Sequence, residues 1–168
     1  MTRLECPTPA LYVDVDGLIW FNDANGFAEG DAALQAIAAC IDTRAQAVGA
    51  VTARLGGDDF LVALPRGTRD LARRLAAEIM ADVDALGFVH RPSGKFHCPF
   101  QALHVSTLVF TLAPEMLLDR GRLLDDLGYA LWRAKQAAGR KDRVAGSVDG
   151  LLPARPPGEV SDLEPKGH

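Results

Sequence analysis

Residues 54–60 read Arg-Leu-Gly-Gly-Asp-Asp-Phe. Two glycines precede two adjacent carboxylates, with Leu55 on one side and Phe60, Leu61 and Val62 on the other. Val48 to Leu55 and Phe60 to Leu64 have strand character. Gly56-Gly57-Asp58-Asp59 then forms a four-residue hairpin turn, since glycine takes positive φ at no steric cost. Adjacent carboxylates repel and gain little in a solvated turn, so their place at the tip of an apolar hairpin points to a bound cation. By itself the string also fits an ordinary Asp/Gly turn.

Upstream, Leu11 to Asp16 alternates apolar residues with Tyr12, Asp14 and Asp16, which is strand periodicity with both aspartates on one side. Gly17 breaks it. Leu18 to Asn25 has room for one or two helical turns before Gly26. The spacing of Leu34, Ile37, Ala38 and Ile41 predicts a helix from about Glu29 to Asp42.

Downstream, Pro65-Arg66-Gly67 closes the hairpin and Thr68 caps a helix in which Leu71, Leu75, Ile79 and Val83 recur every four residues. Residues 87–101 have loop character, and Leu103 to Leu112 is a β-branched strand. Pro114 opens a helical region that Gly121 interrupts. Leu123, Leu127, Ala130, Leu131 and Ala134 form its stripe, Gly139 ends it, and Val144 belongs to a short last strand.

The order β-(short α)-α-β-β-α-β-α-β predicts an α+β, ferredoxin-like sandwich: a central mixed sheet with helices around it. One domain spans residues 1–148. Residues 149–168, with Pro153, Pro156, Pro157 and Pro165, are expected to be a disordered tail.

The 168 residues are 48% apolar and 24% charged, with a formal charge of −4, which argues against disorder and against a non-specific grip on duplex nucleic acid. Cys6, Cys40 and Cys98 are few and scattered, and read as reduced thiols. The N-terminus lacks the apolar run of a signal peptide, and no stretch approaches the ~20 apolar residues that span a bilayer. A cytoplasmic protein without membrane contact is expected.

If the first strand lies beside the hairpin, Asp14 and the Asp58-Asp59 pair converge. Carboxylates with backbone oxygen suit Mg²⁺ or Mn²⁺, hard cations that can clamp a phosphoryl transfer. His90, His97, Cys98 and His104 match no common zinc spacing and read as ordinary loop and surface residues. Trp20 and Phe21 read as core.

The stretch DVDGLIWFNDANGFAEGDAAL (residues 14–34) resembles the N-terminal motif of the GGDEF family, the bacterial diguanylate cyclases, written D-x-D-x-F-K-x-x-N-D-x-x-G-H-x-x-G-D-x-x-L. It matches at Asp14, Asp16, Asn22, Asp23, Gly26, Gly30, Asp31 and Leu34. RLGGDDF falls where that family has its signature, and ALWRAKQAAGRKDRV (residues 130–144) resembles its closing motif.

The resemblance implies a nucleotidyl cyclase/polymerase palm fold. It makes Asp14, Asp58 and the Val15 carbonyl metal ligands, with Asp58 and Asp59 catalytic. Asn22 and Asp31 would read guanine. Gly56, Gly57, Lys135 and Arg140 would meet the phosphates. The implied reaction joins two GTP into cyclic di-GMP with loss of pyrophosphate, using Mg²⁺ or Mn²⁺, in a transient homodimer and under an unknown regulatory protein.

The sequence departs from the pattern in several places. Ile19 stands for the family lysine, Phe27 for histidine, Asp59 for glutamate, Gly128 for aspartate and Leu108 for glycine. Lys135 and Arg140 are one position further apart than usual. Ala47 and Ala50 replace the R-x-x-D product-inhibition motif, so feedback through it is not expected. No sensory domain accompanies the unit, so activity is expected to need an outside trigger or self-association. Two other readings stay open. One is a degenerate domain that binds GTP or cyclic di-GMP and signals through a partner. The other is a minimal relative of the CRISPR polymerases that makes another cyclic nucleotide.

Overall fold

The structure is a computed structural model and describes residues 6–90, 101–139, 144–148 and 152. Its elements are β1 (Thr8–Asp16), α1 (Leu18–Asn25), α2 (Phe27–Ala47), β2 (Val51–Gly56), β3 (Asp59–Ala63), α3 (Arg69–Leu86), β4 (His104–Leu112), a 3₁₀ turn (Pro114–Leu118), α4 (Arg120–Ala137) and β5 (Ala145–Ser147). The sheet order is β2-β3-β1-β4-β5. β1 is flanked by antiparallel β3 and β4, and β5 joins β4 in parallel. This is the α+β arrangement that the sequence pattern predicts.

Alternation along β1 divides the interior in two. Leu11, Val13 and Val15 face a core shared with α1, α2 and α3, where Phe21, Ile37, Ile41, Leu75 and Ile79 are buried. Ala10 and Tyr12 face the opposite side, where Leu123, Leu127 and Leu131 of α4 close the second core. Asp14 and Asp16 continue the Tyr12 face to the end of the strand, so β1 delivers its carboxylates on the side that α4 covers.

Several boundaries differ from the sequence reading. α2 starts directly after Gly26 and runs to Ala47, past Asp42, because nothing before Gly49 terminates it. Gly49, at φ 68, carries the chain out, and its N–H donates to the Gln46 carbonyl at 3.1 Å. β2 therefore starts at Val51 instead of Val48. Asp59 belongs to β3, paired with Asp14 on one side and Gly56 on the other, so the turn is only Gly57-Asp58. The break before α4 comes at Asp119, whose side chain accepts from Arg122 N at 2.9 Å; Gly121 lies within the first turn. β4 begins at His104, and Val144 precedes β5, buried, with its carbonyl accepting from Thr107 N.

Thr68 caps α3 as expected, accepting from Leu71 N at 3.2 Å. Leu108 is accommodated because it pairs with Gly146, where an added Cβ would meet Leu108 Cδ1 at 2.9 Å. The tail reading falls largely outside the described residues; Leu152 packs against the α4-side core.

Candidate functional site

The pairing of β1 with β3 sets Asp14 directly opposite Asp59. Like charges in that relation destabilise a sheet unless a countercharge is near. Val15 N–H donates to the Asp58 carbonyl at 3.2 Å, which ties the turn to the end of β1. One carboxylate oxygen each from Asp14, Asp58 and Asp59 lie within 4.8 Å of one another. Among the described residues this is the one group of three or more acidic, His or Cys side chains with such geometry.

Lys135 reaches the same place from the last turn of α4. Its Nζ donates to Asp16 Oδ1 at 2.5 Å and to Asp14 Oδ2 at 3.2 Å. Asp16 also accepts from Ser106 Oγ at 2.6 Å, and Ser106 Oγ accepts from Val144 N at 3.0 Å. Burial pushes the Asp16 carboxyl upward, and Lys135 opposes that shift. Burial alone would lower the Lys135 ammonium, yet Asp14 and Asp16 together raise it. Asp59 accepts from the Tyr12 hydroxyl at 2.5 Å. Tyr12 is held well above its ordinary pKa by burial first and then by Asp14, Asp59 and Asp58, so it stays a donor.

An all-oxygen donor set, with acids outnumbering the one nearby ammonium, fits a hard divalent cation such as Mg²⁺ or Mn²⁺. The turn beside it is open. Gly57, at φ 49, has nothing within 4 Å of where a Cβ would sit, and its carbonyl accepts from Arg54 Nε at 2.8 Å. A Cβ on Gly56 would lie 4.0 Å from Arg120 Nη2, so a second cation borders the hairpin.

Gly17, at φ 86, turns the chain from β1 into α1, which carries Asn22. Asn22 packs on Gly30 of α2, where an added Cβ would lie only 1.7 Å from Asn22 Oδ1. That oxygen is buried and has no hydrogen-bond partner among the described residues. Asp31 follows Gly30 and is exposed. The structure thus brings Asp14 beside Asp58, Asp59 and Lys135, and sets Asn22 against Gly30, the residue before Asp31. Arg140 lies outside the described residues. Ile19 and Phe27 are exposed apolar side chains, 38% and 75% accessible.

Among the described residues, neither His90 nor His104 of the His/Cys group belongs to a metal-ready cluster. His104 Nδ1 sits 2.9 Å from Asp84 Oδ1, and His90 packs edge-on against Phe21. His97 and Cys98 lie outside the described residues. Phe21 is core, and Trp20 is half-buried.

Tyr12, Ser106 and Arg120 were not picked out as site residues from sequence. Tyr12 carried a signal, since it shares the alternation of Asp14 and Asp16. The other two are placed only by the packing of β4 and α4.

Comparison with known proteins bears on the family and the fold. The family model described as "Diguanylate cyclase, GGDEF domain" matches residues 4–138. The GGDEF domain of DgcB from Caulobacter crescentus, solved with c-di-GMP, is 27% identical with a TM-score of 0.60, over 83% of this chain and 78% of that one. The GGDEF domain of YfiN (TpbB) from Pseudomonas aeruginosa is 28% identical with a TM-score of 0.58, over 86% and 84%. The GGEEF domain of a Vibrio cholerae diguanylate cyclase shares the fold at 20% identity and a TM-score of 0.60, over 89% and 87%. No curated protein matches the chain in sequence. With its acids converging at the hairpin and its family model spanning most of its length, the chain belongs to the GGDEF-domain family.

Proposed function

We propose that this protein is a diguanylate cyclase that condenses two GTP into cyclic di-GMP and releases two pyrophosphates. The observation that carries the reading is the convergence of Asp14, Asp58 and Asp59 within 4.8 Å beside Lys135. In each half-reaction the 3′-oxygen of one GTP bonds to the α-phosphorus of the other, and the bond from that phosphorus to the pyrophosphate oxygen breaks. The chain's residues position the groups, and Asp59 accepts the 3′-hydroxyl proton. Asp14, Asp58 and the Val15 carbonyl, with Asp59 completing the acidic cluster, would hold Mg²⁺ or Mn²⁺, which when bound offsets charge on the phosphates. Lys135, with Arg140, adds positive charge, and Gly56 and Gly57 leave room for phosphate at the turn.

Asn22, on α1 against Gly30, and the exposed Asp31 are the two side chains this reading assigns to guanine, whose N1–H and N2 amino group donate to a carboxylate and whose ring acceptors suit an amide. This speaks against a cyclase for another base. Each site would hold one GTP, so catalysis needs two copies face to face. A cytoplasmic setting and a regulatory protein partner belong to the same reading. A second reading is favoured by exposed Ile19 in place of the family lysine: a domain that binds GTP or cyclic di-GMP without turnover.

The deciding experiment incubates the protein at high concentration with GTP and Mg²⁺ or Mn²⁺, with ATP in parallel, and identifies products by mass spectrometry. Cyclic di-GMP is the expected product. Calorimetric binding of GTP without product would favour the second reading, and an adenine product would overturn the guanine assignment.

A further inference from the structure

Asp59 is one methylene shorter than glutamate, so its carboxylate starts nearer the strand and must be aimed to serve the same cluster. Tyr12 is placed to aim it. The two side chains lie on the same face of neighbouring strands, and both are buried, at 2% and 7% exposure. The Tyr12 ring is fixed in the core formed by Leu61, Leu108 and Leu127. Its hydroxyl donates to Asp59 Oδ1 at 2.5 Å, while a carboxylate oxygen of Asp59 lies within 4.8 Å of those of Asp14 and Asp58.

We infer that Tyr12 is a positioning residue for Asp59, fixing one carboxylate oxygen and so directing the carboxylate at the cation and the reacting 3′-hydroxyl. Supporting hydrogen bonds of this kind orient metal-binding carboxylates and reduce the freedom lost on binding. The inference rests on the metal-dependent reading above. It assigns the match between a short acid and a phenol to this chain: the hydroxyl is within hydrogen-bond reach of the aspartate, and a carboxylate one methylene longer starts from a different place.

The test is Mn²⁺ binding to the full chain without nucleotide, read from the electron paramagnetic resonance signal of unbound Mn²⁺, with kcat and KM for GTP alongside. Tyr12→Phe keeps the ring, and a melting curve checks its fold. It is expected to weaken Mn²⁺ about tenfold and to lower kcat more than it raises KM. Asp59→Glu alone is expected to weaken Mn²⁺ too, because the longer side chain meets the hydroxyl. The double variant Tyr12→Phe/Asp59→Glu is expected to recover most of the affinity. Wild-type Mn²⁺ affinity in Tyr12→Phe, or a double variant no better than the weaker single one, would overturn the inference. Asp58→Ala separates the two levels. If it binds Mn²⁺ as the wild type does, the metal reading fails and the inference with it. If it loses Mn²⁺ while Tyr12→Phe does not, only the inference fails.

Discussion

Lys135 and Asp16, 119 residues apart in sequence, meet at 2.5 Å and join the end of α4 to the end of β1. Their side chains are only 15% and 4% exposed. Removing one partner of a buried pair strands the other charge. Lys135→Ala is expected to cost about 3 kcal/mol, read as a lower urea midpoint. A midpoint within error of wild type would show that the pair does not hold α4 in place.

Asp58 stands in a cluster of like charge. Asp58→Ala is expected to abolish Mg²⁺-dependent GTP turnover while leaving the metal-free fold intact. Relief of repulsion should stabilise the metal-free protein by up to about 1 kcal/mol. Thermal melting with and without Mn²⁺ checks this: wild type should gain from the ion and the variant should not.

Gly30 is required by Asn22 rather than by its own backbone. A Cβ there would lie 1.7 Å from Asn22 Oδ1, the tip of a side chain that can swing away. Gly30→Ala is expected to leave stability close to wild type, because alanine gains about 1 kcal/mol of helix propensity that offsets the displaced amide. GTP affinity should fall about tenfold, the scale of one lost hydrogen bond to a buried group. Calorimetry with GTP provides the measurement.

His90 sets a pH dependence. Burial holds its pKa below 6.5, with hydrogen bonds to the backbone of Ala102 and Trp20 opposing the shift. The folded state therefore binds fewer protons than the unfolded chain between the lowered value and 6.5. The stability contribution is present above 6.5 and is lost as pH falls through the folded value. Urea midpoints at pH 5.5 and 7.5 are expected to differ more in wild type than in His90→Gln (pH values on the order of one unit either side of the ordinary histidine pKa).

Much of the fold was legible because its signals are local. Alternation in β1, glycines at Gly17 and Gly26, and the Thr68 cap each act within a few residues. The end of α2 was misplaced because Thr43 to Ala47 contain no breaker, and the helix continues until Gly49 supplies one. Asp59 read as a turn residue because Gly56 and Gly57 suit a four-residue hairpin turn. In the structure its backbone pairs with Asp14 and Gly56, which outweighs that preference.

The sequence by itself determined which residues could form the site and on which face of β1 two of them stand, since a strand's period of two is a property of the backbone. It also carried Asn22 and Gly30 as matches to the family motif, while their packing against each other came from the structure. Only the tertiary structure decided that Tyr12 aims Asp59, that Ser106 supports Asp16, and that Lys135 sits between Asp14 and Asp16. Those contacts depend on strand register and on how α4 crosses the sheet. Both are set by burying Leu123, Leu127 and Leu131 against the β1 face, a packing balance that no local pattern encodes.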